Sequence, residues 1–243
     1  MRVPRLLVNG PLSAGAHVLD PDTTHYLVSV LRRKAGDAVR VFNGTGWSAN
    51  GTVIEAQRKR CVLDLEAPFA EDLESPLSVE LGLALLRGER MDLALQKACE
   101  LGVTKVTPLR TERTEVRLEE KRLANRMRHW REVLRHAVQQ SGRSAMPELS
   151  EPVHLDEALS ARGDRVGFIL DPTGESDDAV RGAPTSVVLL TGPEGGFSDI
   201  EVARATTAGW RRLRLGPRIL RAETAPIVGL AVLQARYGDL VTR

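Results

Sequence analysis

Two rhythms of apolar and polar residues divide the chain. Up to residue 68 the apolar positions come in short alternating runs, the period of a strand with one buried face. VRVFNGTGWSANGTVIE alternates around Asn43-Gly44 and Asn50-Gly51, dipeptides that favour hairpin turns, and CVLDLE supplies a further strand. One helix, roughly Thr23 to Lys34, interrupts them. So many short strands close most economically as a small barrel over residues 1–70. EAPFAEDLESP comes next, acidic and bracketed by Pro68 and Pro76, and reads as a linker.

From Leu77 the period changes. LSVELGLALL predicts a strand, ERMDLALQKACELG an amphipathic helix closed by Gly102, and VTKVTPL a second strand. A long helix is expected from about Glu119 to Ser141; RVGFIL, SVVLL and RRLRL are further strands, each followed by a loop and a helix. Strands alternating with helices define an α/β domain over residues 71–243, a parallel sheet with helices on both faces. The last helix starts near Thr224, with Pro226 in its first turn. Ile227, Val228, Leu230, Ala231, Val232 and Leu233 leave it almost no polar face, which predicts a subunit interface.

Composition narrows the class. With 243 residues, 42% of them apolar and 27% charged, the chain can bury a proper core, and no apolar run approaches a membrane span. The opening MRVPRLLVNGPL is too short and interrupted for a signal peptide, so a cytoplasmic protein is expected. Cys61 and Cys99 lie in apolar surroundings without metal-ligand spacing, which predicts buried thiols and no metal. Net charge is only +2, yet Lys121 to Arg143 holds seven Lys or Arg against Glu132 alone, and Arg204 to Arg221 holds six Arg and no acid. Two such runs favour an anionic polymer as partner over a merely solvated face.

The candidate chemistry sits in TGPEGGFSDIE, after the strand ending near Leu190. Ser198 and Glu201 form a capping box, so the loop lies between a strand's carboxyl end and a helix's amino end, where open α/β sheets bind ligands. It lacks the spacing of a dinucleotide fingerprint, and no Gly-Lys-Ser/Thr follows to make a phosphate loop. Pro193 removes a donor and Glu194 repels an anion, so the loop suits a neutral or cationic ligand. A second glycine-proline loop, LGPRILRAETAP, follows the next strand and can supply another wall of the same pocket.

TGPEGGFSDIE, LGPRILRAETA, LQKACELGV followed by PLRTERTEV, and the ordered Trp, QQSGR and PEL signals together resemble the ribosomal-RNA small-subunit methyltransferase E family of the SPOUT superfamily. HYLVSVLRRKAGD resembles that family's N-terminal PUA-like domain, so the likeness covers nearly the whole chain. It implies a PUA-like barrel before a SPOUT-type parallel sheet with a deep trefoil knot, a homodimer, and methylation of N3 of a uridine in 16S rRNA. It also implies S-adenosylmethionine held by three loops: the end of FILDPTG, with Leu170; that of LTGPEGGF, with Leu190, Thr191, Gly192, Pro193, Glu194, Gly195 and Gly196; and that of LGPRILR, with Leu215, Gly216, Ile219, Leu220, Arg221, Thr224 and Ala225. Many members carry Glu-Ala-x-Glu-Gln on the long helix, where this chain has His136-Ala137-Val138-Gln139-Gln140.

That reaction removes an imide proton and builds negative charge on the flanking carbonyl oxygens. Arg221 is the candidate to stabilise that charge, and Glu194 or Glu223 to accept the proton or order the loops. Arg5, His25, Arg32 and Arg33, with Arg122, Arg126, Arg143 and Arg218, are expected to contact RNA, most of them at phosphates. Two other readings compete: a non-catalytic RNA-binding assembly factor, and an enzyme on a small phosphorylated metabolite. The missing phosphate loop counts against the second.

Overall fold

The computed structural model describes residues 3–71, 73–116, 120–175 and 183–241. The chain forms two units: Met1–Glu74 with Val138–Met146, and Ser75–Ala137 with Pro147–Arg243.

In the first unit, β1 (Arg5–Leu7), β2 (Gly15–Val18), β3 (Ala38–Phe42), β4 (Trp47–Gln57), β5 (Arg60–Leu65) and β6 (Phe69–Ala70) make a mixed sheet in the order β1-β3-β4-β5-β2, with β6 against β4. Alternate residues, among them Leu6, Val39, Val41, Val53 and Leu63, meet in one core with Leu27. Asn43-Gly44 turns the chain as expected: Gly44 has φ +77°, and Asn43 Oδ1 accepts from the Thr45 amide at 3.0 Å. Asn50-Gly51 does not turn. It lies inside β4, where a Cβ on Gly51 would come within 2.7 Å of Leu65 Cδ2 and 2.8 Å of the Asp64 carbonyl oxygen. The glycine is there for the close approach of β5, a use that the dipeptide rule does not distinguish from a turn.

The helix expected over Thr23 to Lys34 is displaced. Asp20 caps it by accepting from the Thr23 amide, so α1 runs Pro21–His25 with proline in its first turn. A wider π-helical turn follows over Tyr26–Val30, and Arg32, at φ +54°, ends the helical path.

The acidic stretch is not a free linker. Phe69–Ala70 pairs with β4, and the Glu71 carboxylate accepts from both Arg5 Nη atoms at 3.0 and 2.9 Å, from Arg40 Nη1 at 3.2 Å and from Ser48 Oγ at 2.6 Å. Glu74 accepts from Arg143 Nη2 at 2.6 Å and from the Ala145 amide at 3.2 Å. The Arg5 and Arg143 side chains are only 12% and 7% exposed. Both were expected to contact RNA; in the structure each is forked onto a carboxylate within the unit, although Arg5 Nε has no hydrogen bond.

The second unit contains β7 (Ser78–Ala84), α2 (Glu89–Glu100), β8 (Val103–Arg110), most of α3 (Glu120–Ser141), β9 (Glu148–Leu149), β10 (Val153–His154), α4 (Leu155–Ser160), β11 (Val166–Glu175), β12 (Ser186–Thr191), α5 (Asp199–Thr207), β13 (Arg211–Leu213) and α6 (Thr224–Tyr237). Every described strand pair is parallel, in the order β10-β8-β7-β12-β11-β13 with β9 beside β8. The expected start of α3 at Glu119 and the helix expected between β11 and β12 fall at least partly outside the described residues. Helices cover both faces, and β12 shows why its apolar run is continuous. Val188 and Leu190 pack with Leu155 and Leu159 of α4 and Ala205 of α5. Leu189 points the other way, toward α6, where a Cβ on Gly229 would lie 2.9 Å from it. On α6, Leu230 and Leu233 are buried, whereas Ile227, Val228, Ala231 and Val232 are half-buried.

Burial alone would raise the Glu71 carboxyl, but hydrogen bonds from Arg5 and Ser48 and the charges of Arg5 and Arg40 outweigh it and hold the group below the usual glutamate range. A depressed folded-state pKa contributes stability above the ordinary glutamate value, and that stability is lost as pH falls through the folded value. Glu71→Gln, which leaves Arg5 without its anion, should destabilise the first unit by about 3 kcal/mol at pH 7. The deficit should shrink below about pH 4. Urea unfolding at both pH values checks this, and an equal deficit at both contradicts the ion-pair account.

Candidate active site

Strands β11, β12 and β13 lie side by side and end at one sheet edge, where their loops enclose a pocket of about 1100 Å³. The first wall is a bulge. Pairing of β11 with β13 jumps from Leu170 to Glu175, and the intervening Asp171-Pro172-Thr173-Gly174 leaves the ladder. Asp171 accepts from the Thr173 amide at 2.8 Å and from Arg212 Nε at 2.7 Å; Arg212 Nη2 donates to Thr173 Oγ1 at 2.7 Å. Burial raises the Asp171 carboxyl, but these bonds and the Arg212 charge hold it below the usual range.

The second wall is the glycine loop after β12. Gly196 has φ +67° and donates its amide to the Pro193 carbonyl at 2.9 Å, closing a turn. The expected capping box is present: Glu201 N donates to Ser198 Oγ at 3.2 Å, and Ser198 N to Glu201 Oε2 at 2.8 Å. The loop after β8 ties into the same place. Glu201 Oε1 accepts from the Glu112 amide at 2.8 Å, and Arg113 Nη1 donates to the Gly195 and Phe197 carbonyls at 3.0 and 3.2 Å. With those carbonyls turned to Arg113, the loop is held in one shape at the pocket wall.

The third wall runs from Leu213 to Ala225. Gly216, at φ +79°, breaks the strand direction; Thr224 and Ala225 both donate their amides to the Arg221 carbonyl at 2.9 Å and start α6. Five arginines line the pocket: Arg90, Arg113, Arg212, Arg218 and Arg221. The first three are bonded to Glu194, to the glycine-loop carbonyls and to Asp171. Arg218 and Arg221 are exposed, and their guanidinium groups have no hydrogen-bond or ion-pair partner among the described residues. The two expected carboxylates differ as well. Glu194 accepts from Arg90 Nη1 at 3.2 Å, while Glu223 Oε2 is buried with no hydrogen bond, 4.0 Å from Arg90 Nε.

Of the cofactor residues expected from sequence, Leu170, Gly192 to Gly196, Leu215, Gly216, Ile219, Leu220, Arg221 and Ala225 line this pocket. Leu190, Thr191 and Thr224 do not; Leu190 and Thr191 face the buried interior at the strand end. Asp171 and Thr173, from the FILDPTG segment expected to bear the first cofactor loop, line it as well, together with Arg212, Arg90 and Arg113, which were not expected. Elsewhere, Arg122 and Arg126 are exposed on α3 of the second unit, while His25 and Arg32 are exposed in the first. Arg33, in the first unit, is half-buried, its Nε without a hydrogen-bond partner.

A parallel sheet whose carboxyl edge carries a glycine loop that is no phosphate cradle, in a chain with a separate β-rich unit, matches one class of known protein. Residues 73–234 match an RNA methyltransferase domain and residues 19–66 an RNA methyltransferase PUA domain. The chain belongs to the ribosomal RNA small subunit methyltransferase E family. It is 30% identical to the Buchnera aphidicola (Schizaphis graminum) protein of that name across 98% of both chains. The Neisseria gonorrhoeae protein of that name, solved bound to S-adenosyl methionine, superposes with a TM-score of 0.92 at 32% identity, covering 99% of this chain and 100% of the other. A Legionella pneumophila methyltransferase solved with the cofactor SAM gives 0.94 at 36% identity over 99% and 100%.

Arg113→Ala removes both side-chain bonds to the glycine-loop carbonyls. Bonds to a charged donor contribute about 2 kcal/mol, so local opening of residues 193–199 should become roughly 30-fold more frequent. Amide hydrogen exchange reads this directly, and unchanged protection would mean that the capping box alone holds the loop.

Proposed function

We propose that this protein uses S-adenosylmethionine to methylate N3 of a specific uridine in the 16S rRNA of the small ribosomal subunit, in the cytoplasm, as a homodimer. The observation that carries the reading is a roomy pocket bounded by a glycine loop unsuited to phosphate, with two arginine side chains at its rim that have no partner among the described residues. The residues present fit the cofactor. The volume accommodates a nucleoside joined to an amino acid, and Gly196 leaves open space where a Cβ would stand. Asp171, Glu194 and Glu223 complement a ligand carrying positive charge on sulfur and nitrogen. Leu170, Gly192 to Gly196, Leu215, Leu220 and Ala225 would hold it. Bound there, it supplies an activated methyl group.

The chain's own residues have three tasks. Uridine N3 lies on the pairing edge, so the base must be unpaired or flipped before it enters. The imide proton needs an acceptor, and Glu223 is favoured over Glu194 because its Oε2 has no hydrogen bond of its own. The charge left on the carbonyl oxygens needs donors already in place, and Arg221, whose guanidinium has no partner among the described residues, is suited to supply them. Arg218 beside it suits a phosphate.

On α3, Lys121, Arg128 and Arg135 recur every seven residues and so share one face, with Arg131 close by. Cations in the first turn of a helix oppose its dipole, and like charges three or four apart repel. A phosphate backbone along that face would relieve both. His25 and Arg32 provide a further exposed basic site in the first unit.

Two family features find support in the connectivity. After β13, at the far edge beyond β11, the chain returns so that α6 packs on β12 and α2, a path consistent with a C-terminal knot. The half-buried Ile227, Val228, Ala231 and Val232 of α6 leave apolar surface for a second copy.

Calorimetry with S-adenosylmethionine separates this reading from a non-catalytic RNA-binding factor, and mass spectrometry of rRNA nucleosides from cells lacking the protein identifies the product. Arg221→Lys keeps the charge but loses the planar fork; single-turnover transfer should slow by about 10²–10³ with cofactor affinity unchanged. A rate equal to that of the unmutated protein assigns charge stabilisation to another group. Val228→Asp should yield inactive monomers or aggregates in light scattering, and a monodisperse monomer of the unmutated protein removes the dimer.

A further inference from the structure

Arg90 sits in the first turn of α2, where the helix dipole disfavours a cation. Its position is explained by what it reaches. The guanidinium donates from Nη1 to Glu194 of the glycine loop at 3.2 Å and brings Nε to 4.0 Å from Glu223 Oε2 at the start of α6. Three segments distant in sequence thus meet at one side chain on the pocket wall.

The two carboxylates depend on it unequally. The glycine loop that carries Glu194 has other supports: Arg113 on the Gly195 and Phe197 carbonyls, the Ser198–Glu201 capping box, and the Glu112 amide on Glu201. Glu223 has none of these. Its side chain is 12% exposed, its Oε2 has no hydrogen bond, and among the described residues its ion-pair neighbour is Arg90. A buried carboxylate needs a cation near it, and an oxygen left without a hydrogen bond on a pocket wall is an acceptor waiting for a donor.

We propose that Arg90 is a positioning residue for methyl transfer: facing the buried Oε2, it holds the Glu223 carboxylate on the pocket wall so that the carboxylate meets the imide N–H of the entering uracil. The inference rests on the methyltransferase reading above. Glu223 takes the proton from N3 as the N3–methyl bond forms and the methyl–sulfur bond of the donor breaks, its electron pair staying on sulfur as a neutral thioether, and Arg90 acts only through Glu223. Loss of Arg90 therefore changes the transfer step and leaves cofactor binding intact, because the glycine loop keeps its other ties.

The test is a double-mutant cycle on the full-length protein, read by single-turnover methyl transfer to small-subunit rRNA at saturating S-adenosylmethionine. Arg90→Gln should slow transfer by about 10²-fold, the low end for a lost general base, with the calorimetric dissociation constant for S-adenosylmethionine within about threefold of the unmutated value. In a Glu223→Gln background the same change should add less than about threefold. Arg90→Lys, which keeps a charge but loses the fork, should recover part of the rate and so separates positioning from misfolding. Equal slowing by Arg90→Gln in both backgrounds overturns the proposal, as does an unaltered rate or a loss confined to cofactor affinity. Absence of transfer by the unmutated protein overturns the function reading and this proposal together.

Discussion

The pocket depends on one constraint: the strands of the second unit all point the same way. A parallel strand pair cannot be joined by a tight turn, so each connection must leave the carboxyl edge and travel through a helix or long loop before the next strand begins. Five such departures, after β7, β8, β11, β12 and β13, therefore crowd one edge. The continuous apolar run of β12, buried on both faces, holds the strands in that order, and Gly229 lets α6 close onto the sheet from below. Everything that lines the cavity is a consequence of where those chain segments emerge.

Crowding alone would give mobile loops. Specific polar ties convert it into a wall, and the arginines divide by what they are bonded to. Arg113 takes backbone carbonyls of the glycine loop, Arg212 pins the bulge through Asp171 and Thr173, and Arg90 reaches across to both glutamates. The hydrogen bonds in these ties join residues between 39 and 104 positions apart in sequence, from Thr173–Arg212 to Arg90–Glu194. Arg218 and Arg221, from the same loop, are left with no such bond, so the pocket combines fixed cations with available ones.

This division explains what was legible in the sequence. The capping box at Ser198, the turn at Asn43-Gly44 and the strand-loop-helix grammar after Leu77 are local, carried by neighbouring residues and their periods. Asn50-Gly51 misled because glycine serves close packing as readily as turning, and the acidic stretch misled because Glu71 and Glu74 find their partners at Arg5, Arg40 and Arg143. Arg90 and Arg113 could not be picked out, since nothing adjacent to them announces a partner a hundred residues away. Leu190 and Thr191, expected at the cofactor, lie in β12, which continues through Thr191 before the loop begins, and do not line the pocket.

The first unit is assembled from two pieces of chain, and this sets the order in which the protein can fold during synthesis. Glu74 meets Arg143, Gly46 donates its amide to the Ser144 carbonyl, and Met146 donates its amide to the Gly44 carbonyl. None of these bonds can form until the ribosome has made more than half of the polypeptide and released residue 146 from its exit channel. The N-terminal strands thus wait, with one flank of their polar network unfilled, while β7, α2 and β8 emerge and pair locally. Co-translational folding here is not a simple march from the first unit to the second, and a fragment ending at residue 74 lacks the return segment that completes its own fold.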